Sequence, residues 1–208
     1  SAQSPTGMKL AGKHGLTPLS LTFARSPGGF YHNTLKDLWE VAAETGEKYG
    51  HKMDRSKWGL VMHVFLADTR KEAIEIARHT SGLLMREYFE KTLGMAPTEG
   101  PSDKIIDKMV EDKVWCIGTP DDLIEMIHRL DDESGGFGSL ILLATEVGTK
   151  EQVNHSYELI ARYVMPQFQG TTNSLQMSQQ FFAELKDEMA DQREKALDKA
   201  GKDYKTQS

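Results

Sequence analysis

The residues best suited to chemistry stand near the start of the chain, in Ser4-Pro5-Thr6-Gly7. A Ser/Thr/Gly loop that leads into a helix offers hydroxyls and free backbone N–H groups to an anion, above all to a phosphate. The same residues also suit an ordinary capped turn, and the four positions alone fit both uses. Other candidates carry less. Arg25 and His32 are the acid–base groups of the segment Ala24–His32, but isolated charges in a surface loop are more often simply solvated. His63 interrupts an apolar stretch and, if it points inward, has to be neutral or hydrogen-bonded, which makes it a structural histidine. His128 and His155 fall on helices at outward positions. No His/Cys/Asp/Glu spacing matches a metal site. Cys116 is the only cysteine, so it has no disulfide partner and no evident base to activate it.

The elements that position these residues follow from periodicity. Cys116–Leu143 has the clearest signals. Thr119 suits an N-cap, Pro120 the first helical position, and Asp121 and Asp122 the positive end of the helix dipole. Leu123, Ile124, Ile127 and Leu130 form an apolar stripe at helical spacing. Gly135, Gly136 and Gly138 then make a turn into Ser139–Ala144, a short apolar run that reads as a strand buried on both faces. Earlier in the chain, Met8–His14 reads as a short helix closed by Gly15, and Leu16–Phe23 as a strand. Asn33 is the expected cap of a helix reaching about Tyr49. Trp58–Ala67 is a strong strand, followed by a helix over Arg70–Phe89 with Ala73, Ile76, Ala77, Leu83, Leu84 and Tyr88 inward. Gly94–Lys113 reads as a long connection, of a length that is usually functional or disordered. Lys150–Val164 is the last helix of this rhythm, with Val153, Tyr157, Ile160, Ala161 and Val164 inward, and Met165-Pro166 is expected to end it.

Composition bounds the function. The chain has 208 residues, 38% of them hydrophobic, and a formal net charge of −6, enough for one globular domain. No basic block points to nucleic acid. No run approaches the ~20 apolar residues of a membrane span, and no signal peptide is visible. A single cysteine fits a reducing compartment, and the cytoplasm is the expected location. Residues 1–170 carry the strand–helix rhythm. Residues 171–208 begin as a linker (Thr171–Ser174), pass through an amphipathic helix marked by Phe181, Phe182, Leu185 and Met189, and become highly charged from Asp191, where order is expected to fade. Ser1 is not an initiator methionine, and Ser4–Gly7 reads as a loop that a strand should precede. The expectation is therefore that an N-terminal portion is missing, cut away or carried by another chain.

Strands that each feed a helix make an α/β fold, either a barrel or a doubly wound sheet. Four stretches then resemble the bacterial-luciferase-like flavin-dependent monooxygenases: Ser4–Leu16 (SPTGMKLAGKHGL), Trp58–Thr69 (WGLVMHVFLADT), Ile117–Ile127 (IGTPDDLIEMI) with Gly135–Gly138 (GGFG), and Ser156–Phe168 (SYELIARYVMPQF). Together they span about Ser4 to Gly170. The resemblance implies the C-terminal half, about strands five to eight, of a TIM (β/α)8 barrel with a helical C-terminal tail. It implies FMN as cofactor, reduced by a separate flavin reductase. The reduced flavin reacts with O2 to give a flavin peroxide that oxidises a small organic substrate. It carries the flavin phosphate onto the Ser4 hydroxyl and the backbone around Gln3 and Gly7, and sets Thr22 close to the flavin ring. Packing alone would account for Thr22 equally well. Gly94–Lys113 would match the mobile lid of the family, with Lys104, Lys108 and Lys113 available to an anionic cofactor. The family's catalytic histidine lies in the other half of the barrel, so no catalytic residue is assigned. Two rivals remain: a flavin-binding protein without turnover, and a deazaflavin-dependent oxidoreductase of the same fold. A half-barrel would leave strand edges unpaired, so the chain is expected to pair with its N-terminal half or with another copy, as a dimer.

Overall fold

The sheet is built around one long strand. A computed structural model describes residues 2–22, 34–94, 100–143 and 147–170, with further helical residues between 181 and 196. Strand β2, Gly59–Leu66, pairs in parallel with β1, Leu19–Leu21, and with β4, Ser139–Leu143. The short β3, Cys116–Gly118, pairs in parallel with the last part of β2, at Val64–Leu66. On the far side of β1, Ala2 N–H donates to the Leu19 carbonyl at 2.7 Å, so the chain before α1 (Pro5–His14) extends the sheet by one more place.

The order is therefore Ala2, β1, β2, β4, with the short β3 set against the last part of β2 alone. The connections run through α1, then α2 (Leu35–Lys48), then α3 (Arg70–Leu84), α4 (Ile105–Glu111) and α5 (Pro120–Ser134). Parallel neighbours need such crossovers. A doubly wound sheet reverses direction at a switch point; this one does not, and it forms an arc of a barrel.

Alternation along β2 separates two cores. Leu60, Met62 and Leu66 face one, with Met8, Leu38, Trp39, Leu123 and Leu130 from the helical layer. Phe65 faces the other, with Ala77, Met85, Phe89, Ile105 and Trp115. Leu19, Gly59 and Ile141 also share a face, since a Cβ on Gly59 would come within 2.9 Å of Ile141 Cδ1 and 3.3 Å of Leu19 Cδ1.

Several boundaries sharpen the sequence reading. The cap of α2 is Thr34, not Asn33: its hydroxyl accepts from Asp37 N–H while the Asp37 carboxylate accepts from Thr34 N–H. The same reciprocal box forms at Thr119–Asp122 and at Thr149–Gln152, where α6 (Lys150–Leu159) begins. The helix after β2 does not stay regular: α3 passes at Met85 into a π-helical segment, Met85–Thr92. Buried positions recur every four residues at Ala73, Ala77, Ser81, Met85 and Phe89. A 3.6-residue turn would rotate such a stripe off the core, and the wider turn keeps it there. Leu83 and Tyr88, expected inward, are exposed as a result. A second widened turn, Ile160–Val164, follows α6 and buries Ile160 and Val164 while Tyr157 faces outward.

Strand β4 forms as expected but is not buried on both faces. Leu140 and Leu142 pack against the helical-layer core, whereas Ser139 is exposed and Ile141 is 38% exposed. Among the described residues β4 pairs with β2 alone, and the Ile141 face has no layer over it there. The connection after α3 is better ordered than a solvated linker: residues 95–99 lie outside the described residues, but Ser102–Lys104 form a turn and α4 buries Ile105 and Ile106 completely.

The chain divides into two compact units, Ser1–Val164 and Met165–Ser208. In the second, Met165–Phe168 form a short helix, α7, and helical bonds run from Leu185 N–H to the Phe181 carbonyl and from Met189 N–H to the Leu185 carbonyl. The expected linker at Thr171–Ser174 lies outside the described residues. No helix among the described residues is long and apolar enough to cross a membrane.

Candidate functional site

In a parallel sheet all strands end on one side, and loops leaving that side collect functional residues. Ala2 pairs beside Leu19, so Gln3 and Ser4 leave the sheet where β1 ends, and Thr22 follows directly after β1. Three of the four expected contact residues thus belong to the ends of two neighbouring strands, and Gly7 lies in the helix turn that follows.

The Ser4 side chain caps α1, accepting from Gly7 N–H at 3.2 Å. Met8 N–H bonds to the Ser4 carbonyl at 2.9 Å, and Pro5 has no N–H. Thr6 N–H remains as the first-turn donor with no acceptor among the described residues. A hydroxyl that accepts at the cap still has a proton to donate. The other helices of ten residues or more each carry a carboxylate in the first turn, namely Asp37, Glu72, Asp121 with Asp122, and Glu151; α1 has none. Its dipole is left unneutralised, with Lys9 and Lys13 further along. Gly7 lies against Ala2: a Cβ there would come within 3.2 Å of Ala2 Cα. These features fit an anionic group such as a phosphate.

Thr22 is 8% exposed, and its hydroxyl donates to the Val61 carbonyl at 3.1 Å, which ties the ends of β1 and β2 together. Gln3 and Ser4 are half-buried. Phe23, Arg25 and His32 lie outside the described residues.

His63 is 2% exposed and stacked on Trp115, with Phe89 edge-on at 5.8 Å. Burial pushes its pKa down to about 4, so at neutral pH the ring is uncharged. Cys116 is buried, and burial first, then the Asp122 carboxylate, push its thiol up to about 12. A protonated thiol of that kind is no nucleophile. Burial alone would raise Asp122, but hydrogen bonds from Arg70 and Thr119 outweigh it and hold the carboxyl below its usual range. Lys108 pairs with Asp112 at 3.0 Å and Lys113 approaches Glu125 at 4.0 Å, so these two cations are matched locally.

Clefts also lie elsewhere among the described residues. One of about 390 Å³ is bordered by Arg70, Lys113, Asp122, Glu125 and Arg129, where cations and carboxylates largely cancel. Another of about 500 Å³ runs between α1 and α2, with Leu10 and Tyr49 flanked by Lys9, Lys13 and Lys48. No group of three His, Cys, Asp or Glu side chains among the described residues could hold a metal ion.

Sequence reasoning missed Ser20. It is fully buried, accepts from Trp58 Nε1 at 3.1 Å and donates to the Ala2 carbonyl at 2.7 Å. A lone serine in a short strand carries no spacing signal, and its partner Trp58 is 38 residues away.

No protein-family model matches the chain. It is 38% identical over 169 residues to limonene 1,2-monooxygenase of Rhodococcus erythropolis, covering 80% of this chain and 42% of that protein. It is 29% identical over 186 residues to 4-hydroxyprotoasukamycin monooxygenase of Streptomyces nodosus subsp. asukaensis, covering 88% and 50%. Among solved structures it is similar to the oxygenating constituent of 3,6-diketocamphane monooxygenase from Pseudomonas putida, a type II Baeyer–Villiger monooxygenase in complex with FMN. There the TM-score is 0.60 at 29% identity, covering 80% of this chain and 46% of that one. The chain spans about half the length of the curated relatives it matches. The arc of parallel strands with its crossover helices agrees with these relatives: the chain's homologues are luciferase-like flavin monooxygenases, and its fold is similar to about half of their TIM barrel.

Proposed function

We propose that this chain is the C-terminal half, strands five to eight, of a flavin-dependent monooxygenase that oxygenates a small organic molecule with O2 and reduced FMN. The observation that carries the reading is the Ala2–Leu19 pairing, which delivers the uncharged first turn of α1 to the C-terminal ends of the strands. The likeness to an FMN-bound oxygenating constituent supports it.

In this reading the Ser4 hydroxyl and Thr6 N–H donate to the FMN phosphate, with the backbone of Gln3 beside them. Gly7 lets the turn close on Ala2, and Thr22 lies beside the flavin ring. Bound in its reduced form, FMN supplies the electrons that activate O2. The apolar cover from Met85, Phe89, Ile105 and Trp115 keeps water from one side of the sheet. A separate reductase supplies reduced FMN, and the open edge of β4 is closed by the N-terminal half of the barrel or by a second copy. The cytoplasm is the proposed location, supported by the single buried thiol of Cys116.

The test is flavin titration followed by turnover. The chain is expected to bind FMN more tightly than riboflavin, because only FMN carries the phosphate. Supplied with its N-terminal half, reduced FMN and O2, it is expected to oxygenate a terpene or cyclic ketone. Equal affinity for both flavins, or conversion that proceeds with a deazaflavin and no O2, would contradict the reading.

A further inference from the structure

Ser20 sits where three strands meet. Its side chain is 0% exposed, and both of its bonds are directional. Trp58 Nε1 can only donate, so at 3.1 Å it uses the Ser20 oxygen as acceptor. The Ser20 proton is thereby left for the Ala2 carbonyl, 2.7 Å away. Ala2 is held twice, by its own N–H to the Leu19 carbonyl and by Ser20 on its carbonyl. Two residues later the chain reaches Ser4, and the first turn of α1 folds back until the Gly7 Cβ position lies 3.2 Å from Ala2 Cα. A shift at Ala2 therefore passes directly to the turn that carries Ser4, Thr6 and Gly7.

We propose that Ser20 is a positioning residue for anion binding: it fixes Ala2, and through Ala2 it sets the geometry with which Ser4 and Thr6 meet the FMN phosphate. The inference rests on the proposed FMN site. It goes beyond that site in assigning phosphate recognition to a buried side chain that does not touch the ligand. The competing role is plain core satisfaction, in which Ser20 only gives Trp58 an acceptor. The two differ in what Trp58→Phe does, because that change removes the indole donor but leaves the Ser20–Ala2 bond.

The experiment compares the full chain with Ser20→Ala and Trp58→Phe. Dissociation constants for FMN and riboflavin are read by flavin fluorescence, and amide hydrogen exchange is followed over residues 2–8. Ser20→Ala is expected to lower the preference for FMN over riboflavin about tenfold, the size of a lost hydrogen bond to a charged group. Riboflavin affinity should be unchanged and exchange at Thr6, Gly7 and Met8 faster. Trp58→Phe is expected to lose stability while keeping that preference within about twofold. Ser20→Cys, with nearly the same shape and a weaker donor, carries the same test where the alanine variant does not fold. A wild-type preference in Ser20→Ala or Ser20→Cys, or an equal loss in Trp58→Phe, overturns the positioning role alone. An unmodified chain with no preference for FMN overturns the functional reading and this inference together.

Discussion

The His63 and Trp115 rings lie with their centres 4.3 Å apart and tilted by 33°. Trp115 directly precedes β3 and His63 belongs to β2, so the contact joins two neighbouring strands, and Phe89 covers it edge-on from the helical segment Met85–Thr92.

That contact has a pH consequence. Unfolded, His63 takes up a proton near the ordinary histidine value of 6.5; folded, burial holds it off until about 4. Between the two the unfolded chain binds more protons, so stability falls as pH falls. The contribution is fully present above 6.5 and is lost progressively down to about 4, about 3 kcal/mol in all. Denaturant melts from pH 7.5 to 4 should show this slope, and His63→Phe should flatten it. A slope that is the same in both proteins would mean that His63 is not the titrating group.

Arg55 is a second tie. Its guanidinium lies 4.9 Å from the Trp39 ring centre and donates to the Ser134 carbonyl at the end of α5. Burial lowers its pKa, with Glu40 acting in the opposite direction. Arg55→Met keeps much of the stem but loses the cation–π contact and the bond to Ser134. The expected cost is about 1–2 kcal/mol, a fall in Tm of roughly 3–6 °C. Calorimetry checks it, and an unchanged Tm would assign the tie no energetic role.

Gly82 is where α3 receives the turn before α4. A Cβ there would sit 2.1 Å from the Ser102 carbonyl oxygen, a backbone atom. Alanine normally gains up to about 1 kcal/mol over glycine inside a helix, but here the clash wins and the net cost is about 1–3 kcal/mol. Gly82→Ala should lift Ser102–Lys104 off α3, and trypsin should cut faster at Lys104, Lys108 and Lys113 than at lysines elsewhere. An unchanged cleavage pattern would show that the turn docks without this close approach.

Much of the fold is legible in the sequence because it is local. Thr119, Pro120 and Gly135 mark the two ends of α5 by capping chemistry alone, and Trp58–Ala67 marks the central strand by composition. What is not legible depends on neighbours. Arg70–Phe89 reads as one α-helix with Leu83 and Tyr88 inward, and only the packed structure reveals the widened turn at Met85 that turns them out. The apolar run at Ser139–Leu143 reads as doubly buried, yet Ile141 faces a side with no layer over it among the described residues. At the candidate site, Ser4 and Gly7 announce themselves as a loop, while Ser20 gains its meaning only from Trp58 and Ala2.

The central claim is that the FMN phosphate docks on the first turn of α1. Amide chemical shifts recorded during parallel titrations with FMN and riboflavin test it most directly. The account predicts that the largest FMN-specific shifts fall at Thr6 and Gly7 and are absent with riboflavin. FMN-specific shifts gathered instead at Lys48 and Tyr49 between α1 and α2, or around Arg70 and Arg129, would contradict it.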